Sequence, residues 1–137
     1  MIQRDRASAG LVTHPSAHDM AETVTRLKAG LAEKALQLFA HIDHAAAARE
    51  VGLSLRPTQV VIFGNPQGGT PLMQSTQLIG LDLPLRVLIW EDEGGKVWLT
   101  YTEPHALARR YRLADREQEV ATLSAVLATL TRAATSR

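Results

Sequence analysis

Cysteine is absent from this sequence, which excludes thiol catalysis, thiolate clusters, zinc fingers and disulfide scaffolds together. Aromatic side chains are scarce, two each of Trp, Tyr and Phe, so any core must be mainly aliphatic. Neither sign of charge predominates: fifteen Lys and Arg face fourteen Asp and Glu, a net +1. Nucleic-acid and anionic-membrane binders carry a basic footprint, and without one neither partner is expected. Long hydrophobic runs are missing too. The longest, Val60–Phe63 and Val87–Trp90, have strand length, far below the roughly 20 apolar residues that cross a bilayer. The opening MIQRDRASAG has charges with no apolar stretch behind them, unlike a secretory signal, and a cytoplasmic protein is expected.

What is present suits one globular domain. The chain has 137 residues, 45% apolar, enough to bury a core without a metal or covalent staple. A single domain over 1–137 is expected, with its core at about 10–132 and flexible ends. Residues 10–15 read as a short strand. Ser16, with Asp19 three residues on, has the capping-box pattern for a helix running to about Lys34, and Met20, Val24, Leu27 and Leu31 form its stripe. From 36 to 43 the period changes to two, with Leu36, Leu38, Ala40 and Ile42 on one side. Asp43 is placed to cap a short helix over 44–51 that Gly52 stops. TQVVIFG (58–64) reads as a central strand. Thr70 and Pro71 fit the cap and first position of a helix reaching Ile79. LRVLIWED (85–92) and KVWLTYT (96–102) form a hairpin across EGG. A short helix follows at 104–111. Asp115 with Gln118 forms a second capping-box variant ahead of a final amphipathic helix on Val120, Leu123, Leu127 and Leu130, whose TRAATSR end is expected to fray. The order is β-α-β-(α)-β-α-β-β-α-α. It predicts an α+β fold with a five-stranded, mainly antiparallel sheet and helices on one face.

Three constellations could carry chemistry. Gly64 and Gly69 have phosphate-loop spacing, but the lysine that should follow is missing, and Pro66 and Pro71 remove backbone donors. A turn able to offer a small anion a helix end is the better reading. His41, Asp43 and His44 could supply three metal ligands. Against that, Asp43 already has a role as a cap, so no metal or other cofactor is expected. Acid–base work could draw on Asp43, His44, Asp82, Tyr101, Glu103 and His105, although Asp82 before a proline is also an ordinary turn residue.

FAHIDHAAAA (39–48), VGLSLRPTQVVIFGNPQGGTPLMQ (51–74), IGLDLPLRVLIWEDEGGKVWLTYTEP (79–104) and ALARRYRL (106–113), with the helix over Ser16–Ala35 before them, resemble a bacterial and archaeal family catalogued as domain of unknown function 302. The ordered GNP-x-x-GTPLMQ and GLDLPL elements make the resemblance specific. It implies an α+β domain with an antiparallel sheet, often a homodimer, and no established activity, substrate or cofactor. Its recurring polar positions correspond here to Asp43, His44, Asn65, Thr70, Gln74, Asp82 and Tyr101. The family often has proline where this chain has Thr76 or Gln77, so the helix there is expected to end differently.

A run of glycine and polar residues such as GNPQGGTP suits a pocket wall better than a core. The favoured reading is a small dimeric domain of sensor or carrier type. It would hold an unknown small molecule in a polar pocket at Asn65, Gly68, Gly69, Thr70 and Gln74, with His44 and Tyr101 converging beside it. The alternatives are an acid–base enzyme using His44 with Asp43 or Asp82, and a purely structural or interaction module.

Overall fold

A computed structural model describes residues 10–137, and the first nine residues of the expected flexible N-terminus lie outside it. Five strands form one fully antiparallel sheet in the order β1-β5-β4-β3-β2. They are β1 (Leu11–Pro15), β2 (Gln37–Asp43), β3 (Thr58–Gly64), β4 (Leu85–Glu91) and β5 (Val97–Thr102). The helices are α1 (Met20–Glu33), α2 (His44–Glu50), α3 (Pro66–Ser75), α4 (Pro104–Arg110) and α5 (Glu117–Thr135), with a 3-10 turn at Gln77–Asp82. The expected α+β architecture is present.

Alternation along the central strands builds the core. Val61 and Phe63 of β3, Leu85, Val87 and Ile89 of β4, and Val97, Leu99 and Tyr101 of β5 are all buried. They form one apolar cluster with Val24, Leu27 and Leu31 of α1 and Val120, Leu127, Leu130 and Ala134 of α5. The two long helices therefore cover the same sheet face. They approach closely at Gly30, where an added Cβ would stand 3.0 Å from Leu130 Cδ2.

Helix α1 begins three residues later than the capping-box reading with Ser16 as cap. Ser16 is buried, its N–H donates to the Val97 carbonyl at 2.8 Å, and its hydroxyl meets that of Thr23 at 2.7 Å. These bonds hold the chain extended past β1. Asp19 takes over as cap and accepts the Glu22 N–H at 2.8 Å.

Strand β2 departs from simple alternation. Leu38 pairs with Phe63, Ala40 pairs with Ile62, and Phe39 is the extra residue between them. This bulge reverses the facing of everything after it. Leu38 shares the helix-covered side with Phe63, whereas Ala40 and Ile42 stand on the opposite side, beside Ile62 and Val60. The expectation of Leu38, Ala40 and Ile42 on one face is thereby corrected.

The hairpin between β4 and β5 is tied by one carboxylate. Asp92 accepts the Gly94 and Lys96 N–H groups at 3.0 and 2.9 Å and the Trp98 indole N–H at 2.8 Å. The Trp98 bond is the main reason its carboxyl titrates below the usual range. Gly95, at φ 83°, takes the left-handed position the turn needs.

The C-terminal end does not fray. Helix α5 continues to Thr135, Ala134 is fully buried, and the Ala17 N–H donates to the Thr135 carbonyl at 2.7 Å. At its other end α5 starts at Glu117 without a side-chain cap. Asp115, the expected cap, instead accepts the Ser75 hydroxyl at 3.1 Å, and the Arg116 Nε donates to Ser75 Oγ at 2.8 Å. The end of α3 is thus fastened to the start of α5.

Candidate functional site

The strand pairing sorts the candidate residues by sheet end. β2 finishes where β3 begins, so Asp43 and His44 lie at the end marked by Thr58, Trp90 and Trp98. Asn65 follows the last residue of β3 and Asp82 shortly precedes the first of β4, so both lie at the opposite end. A seven-residue strand spans roughly 20 Å. His44 and Asp82 therefore do not form the acid–base pair considered from the sequence, and His44 does not converge on the glycine segment.

At the Asn65 end the expected helix start is also displaced. Asn65, not Thr70, is the cap: it accepts the Gln67 N–H at 2.9 Å, and Pro66, not Pro71, holds the first helical position. Thr70 and Pro71 lie inside α3, which ends at Ser75 rather than Ile79. The N–H groups of Gly68 and Gly69 both donate to the Asn65 carbonyl, at 2.8 and 3.1 Å. Donors that a phosphate loop would turn toward oxygen are already engaged in the helix.

Between α3, the start of β4 and the bulge of β2 lies a cleft of about 220 Å³. Phe39, Met73, Leu83, Pro84, Leu85 and Leu123 supply its apolar walls, while Asn65, Gly69 and Thr70 border it. Three of the five expected ligand-binding residues thus line it. Gly68 instead faces Leu123, with an added Cβ falling 3.5 Å from Leu123 Cδ2, and exposed Gln74 lies outside the lining. The expectation of a polar pocket is corrected in character, because the walls are overwhelmingly apolar. Asn65 Oδ1 is engaged by the cap, and Thr70 is the other side chain with a polar group on the rim. Gly69 matters by its lack of a side chain: a Cβ there would stand 3.7 Å from Leu83 Cδ1 and 3.8 Å from Met73 Cε.

The remaining candidates have structural partners. His41 is exposed and its Nε2 lies 2.6 Å from Gln59 Oε1, while Asp43 accepts the Ala46 N–H at 2.9 Å as the α2 cap. Among the described residues no group of three His, Asp or Glu side chains is arranged to hold a metal, so His41, Asp43 and His44 do not assemble one. Tyr101 is 5% exposed in the core. Asp82 accepts the Tyr111 phenol and faces Arg110 Nη1 at 3.6 Å. The bond to Asp82 holds the Tyr111 phenol above its ordinary range.

Glu103 caps α4 and joins three elements. Its Oε1 accepts from the His105 backbone N–H at 3.0 Å and ring Nδ1 at 2.7 Å, and its Oε2 accepts the Ser124 hydroxyl of α5 at 2.9 Å. Burial pushes this carboxyl up, but the three bonds outweigh burial and hold it below the usual carboxylate range. A depressed folded-state value stabilises the protein above the unfolded-state range near pH 4.3, and the effect is lost as pH falls through the folded value. Glu103→Gln is therefore expected to lower the urea midpoint at pH 7, with the gap to wild type closing towards pH 3. An equal gap at both values would show that the charge contributes nothing.

The family model described as "Domain of unknown function DUF302" matches residues 12–134. The chain belongs to the DUF302 family. A crystal structure of an uncharacterized conserved DUF302 protein from Bacillus stearothermophilus superposes with a TM-score of 0.84. At 19% identity it covers 93% of this chain and 99% of that one, so the whole DUF302 architecture is shared. Curated relatives include the fluoride-specific ion channel FluC 1 of Brucella suis biovar 1 (strain 1330) and FluC 1 of Brucella abortus biovar 1 (strain 9-941). Each is 52% identical over 105 residues, 77% of this chain. The matched segment makes up 41% and 39% of those proteins, so the DUF302 chain spans about two fifths of the relatives' length. Among its described residues no helix is long and apolar enough to cross a membrane.

None of the six apolar walls, Phe39, Met73, Leu83, Pro84, Leu85 and Leu123, was picked out from the sequence as a site residue. One signal was available. Phe39 fell on the histidine side of an otherwise regular alternation, and a large apolar residue on the polar side of an edge strand marks either a bulge or a surface.

Proposed function

We propose that this chain is a small-molecule-binding module, of sensor or carrier type, that holds an uncharged organic group in the cleft between α3, β4 and the β2 bulge. The observation that carries the reading is the cleft itself, apolar-walled and bordered by a helix that opens with Asn65. A dry apolar cavity of about 150 Å³ accepts a benzene-sized guest, and about 220 Å³ has room for a somewhat larger ring or a short acyl chain. Walls of this kind oppose a bare ion, which would lose its hydration without gaining hydrogen bonds.

The Brucella relatives suggest a setting. In them the shared segment occupies about two fifths of a protein named as a fluoride channel. In our reading the channel activity belongs to the other three fifths, and the segment shared with this chain is an attached module. This chain, in the cytoplasm, would play the same role beside a membrane partner. Its own ligand is organic, not fluoride.

A thermal-shift series with indole, hexanoate and sodium fluoride tests the reading. A ligand that binds only the folded state raises its stability, by about 2.7 kcal/mol at a hundredfold excess over Kd. Indole or hexanoate is expected to raise Tm in a saturable way, with fluoride leaving it unchanged. A rise with fluoride alone would overturn the assignment.

A further inference from the structure

We propose that the hollow between α4 and the adjoining ends of β1, β4 and β5 is a second ligand site, which takes the phosphoryl group of a small organic phosphate. Gly10, Thr102, Ala106, Leu107, Arg109 and Arg110 line a hollow of about 360 Å³. A smaller one of about 30 Å³ opens beside it, shares Thr102 and Leu107, and brings in Arg86 and Asp82. None of the residues lining the larger hollow is a wall of the apolar cleft.

The chain passes from β5 almost directly into α4, because Glu103 caps that helix and Pro104 takes its first position. Thr102, at the end of β5, pairs with Leu11 of β1. The β4–β5 register pairs Leu88 with Thr100, and two residues further on it sets Arg86 across from Thr102. Where β1 meets α4 the side chains are too small to fill the space. A Cβ on Gly10 would stand 2.5 Å from Ala106 Cβ, and the Gly10 carbonyl accepts the Glu103 N–H at 2.8 Å.

Three guanidinium groups, Arg86, Arg109 and Arg110, border the two hollows against one carboxylate, Asp82. Asp82 accepts the Tyr111 phenol and faces Arg110, whose guanidinium lies 5.9 Å from the Tyr111 ring centre. These contacts orient Arg110 and leave most of its five N–H donors to spare. Among the described residues Arg86 and Arg109 form no ion pair, and the half-buried Thr102 hydroxyl has no partner. Cations in the last turn of a helix favour its carbonyl end, a role open to Arg109 and Arg110. Arg86 stands on a strand and has no such role.

The planar fork of arginine matches phosphate oxygens two at a time. A phosphate monoester carries about −1.5 to −2 charge at pH 7, which matches the positive surplus better than the single charge of a carboxylate. Bare phosphate would leave much of the larger hollow empty. Gly10, Ala106 and Leu107 offer a short carbon skeleton apolar contact there.

Isothermal titration calorimetry of the full chain with glycerol 3-phosphate, inorganic phosphate and acetate, at fixed ionic strength, tests the site. Glycerol 3-phosphate is expected to bind saturably and at least about tenfold more tightly than inorganic phosphate, with acetate showing no saturation. Arg86→Gln and Arg109→Gln are each expected to weaken binding about tenfold, and Arg109→Lys, which keeps the charge and loses the fork, about threefold. Arg49→Gln removes the same charge from the last turn of α2, a helix of equal length that starts at the opposite end of the sheet, and should leave binding unchanged. Absence of saturable glycerol 3-phosphate binding, undiminished binding by both Arg86→Gln and Arg109→Gln, or an equal loss in Arg49→Gln would overturn the proposal. Equal affinity for inorganic phosphate would overturn the organic class of the ligand.

Discussion

Phe63→Ala is expected to remove about 3–5 kcal/mol of folding stability, the range for truncating a buried aromatic. Phe63 is the largest of the fully buried side chains, at 1% exposure, and sits near the end of β3, one residue before the turn into α3. Its neighbours are the sheet core and the two long helices. That packing leaves little freedom to collapse into the vacated space. Small domains have about 5–15 kcal/mol in total, so the loss is a large fraction of the whole. Urea denaturation should show a much lower midpoint with a similar slope. A change under about 1 kcal/mol would mean that the core is looser there than the burial indicates.

Gly69→Leu is expected to separate stability from function. Gly69 is in the interior of α3, where glycine costs about 1 kcal/mol relative to a good helix former. Its missing side chain borders the cleft, facing Leu83 and Met73 at ordinary contact distances. A leucine there would grow into the cavity, taking up a large part of the available 220 Å³. Tm without ligand should hold or rise, while affinity for indole or hexanoate falls at least about 100-fold, or roughly 2.7 kcal/mol. Equal binding by the variant and the wild type would place the ligand elsewhere. Loss of both folding and binding would show that α3 cannot accept the side chain.

Local signals were legible and displaced ones were not. TQVVIFG, the Asp43 cap with the Gly52 stop, and the hairpin around Glu93–Gly95 each rest on adjacent residues, and β3, α2 and the β4–β5 pair form there. Two prolines five residues apart, Pro66 and Pro71, each qualify for the first position of a helix, and only the Asn65 side-chain bond distinguishes them. The Phe39 bulge inserts one residue into a period of two, which sequence alternation alone reads as a conflict. The site was half legible for a related reason. Its rim, Asn65 to Thr70, is one contiguous segment, but its walls come from β2, the approach to β4 and helix α5, brought together only by the fold. His44 and Asp82 looked like partners because both are acid–base residues in well-marked motifs. Antiparallel pairing puts them at opposite ends of the sheet.

Native mass spectrometry of gently purified protein tests the central claim most directly, because a resident guest reports itself by mass. The account predicts an organic mass retained by the wild type, released on denaturation, and absent from Gly69→Leu. Retention of the same mass by Gly69→Leu, or a wild type that stays bare and gains no Tm from indole or hexanoate, would contradict it.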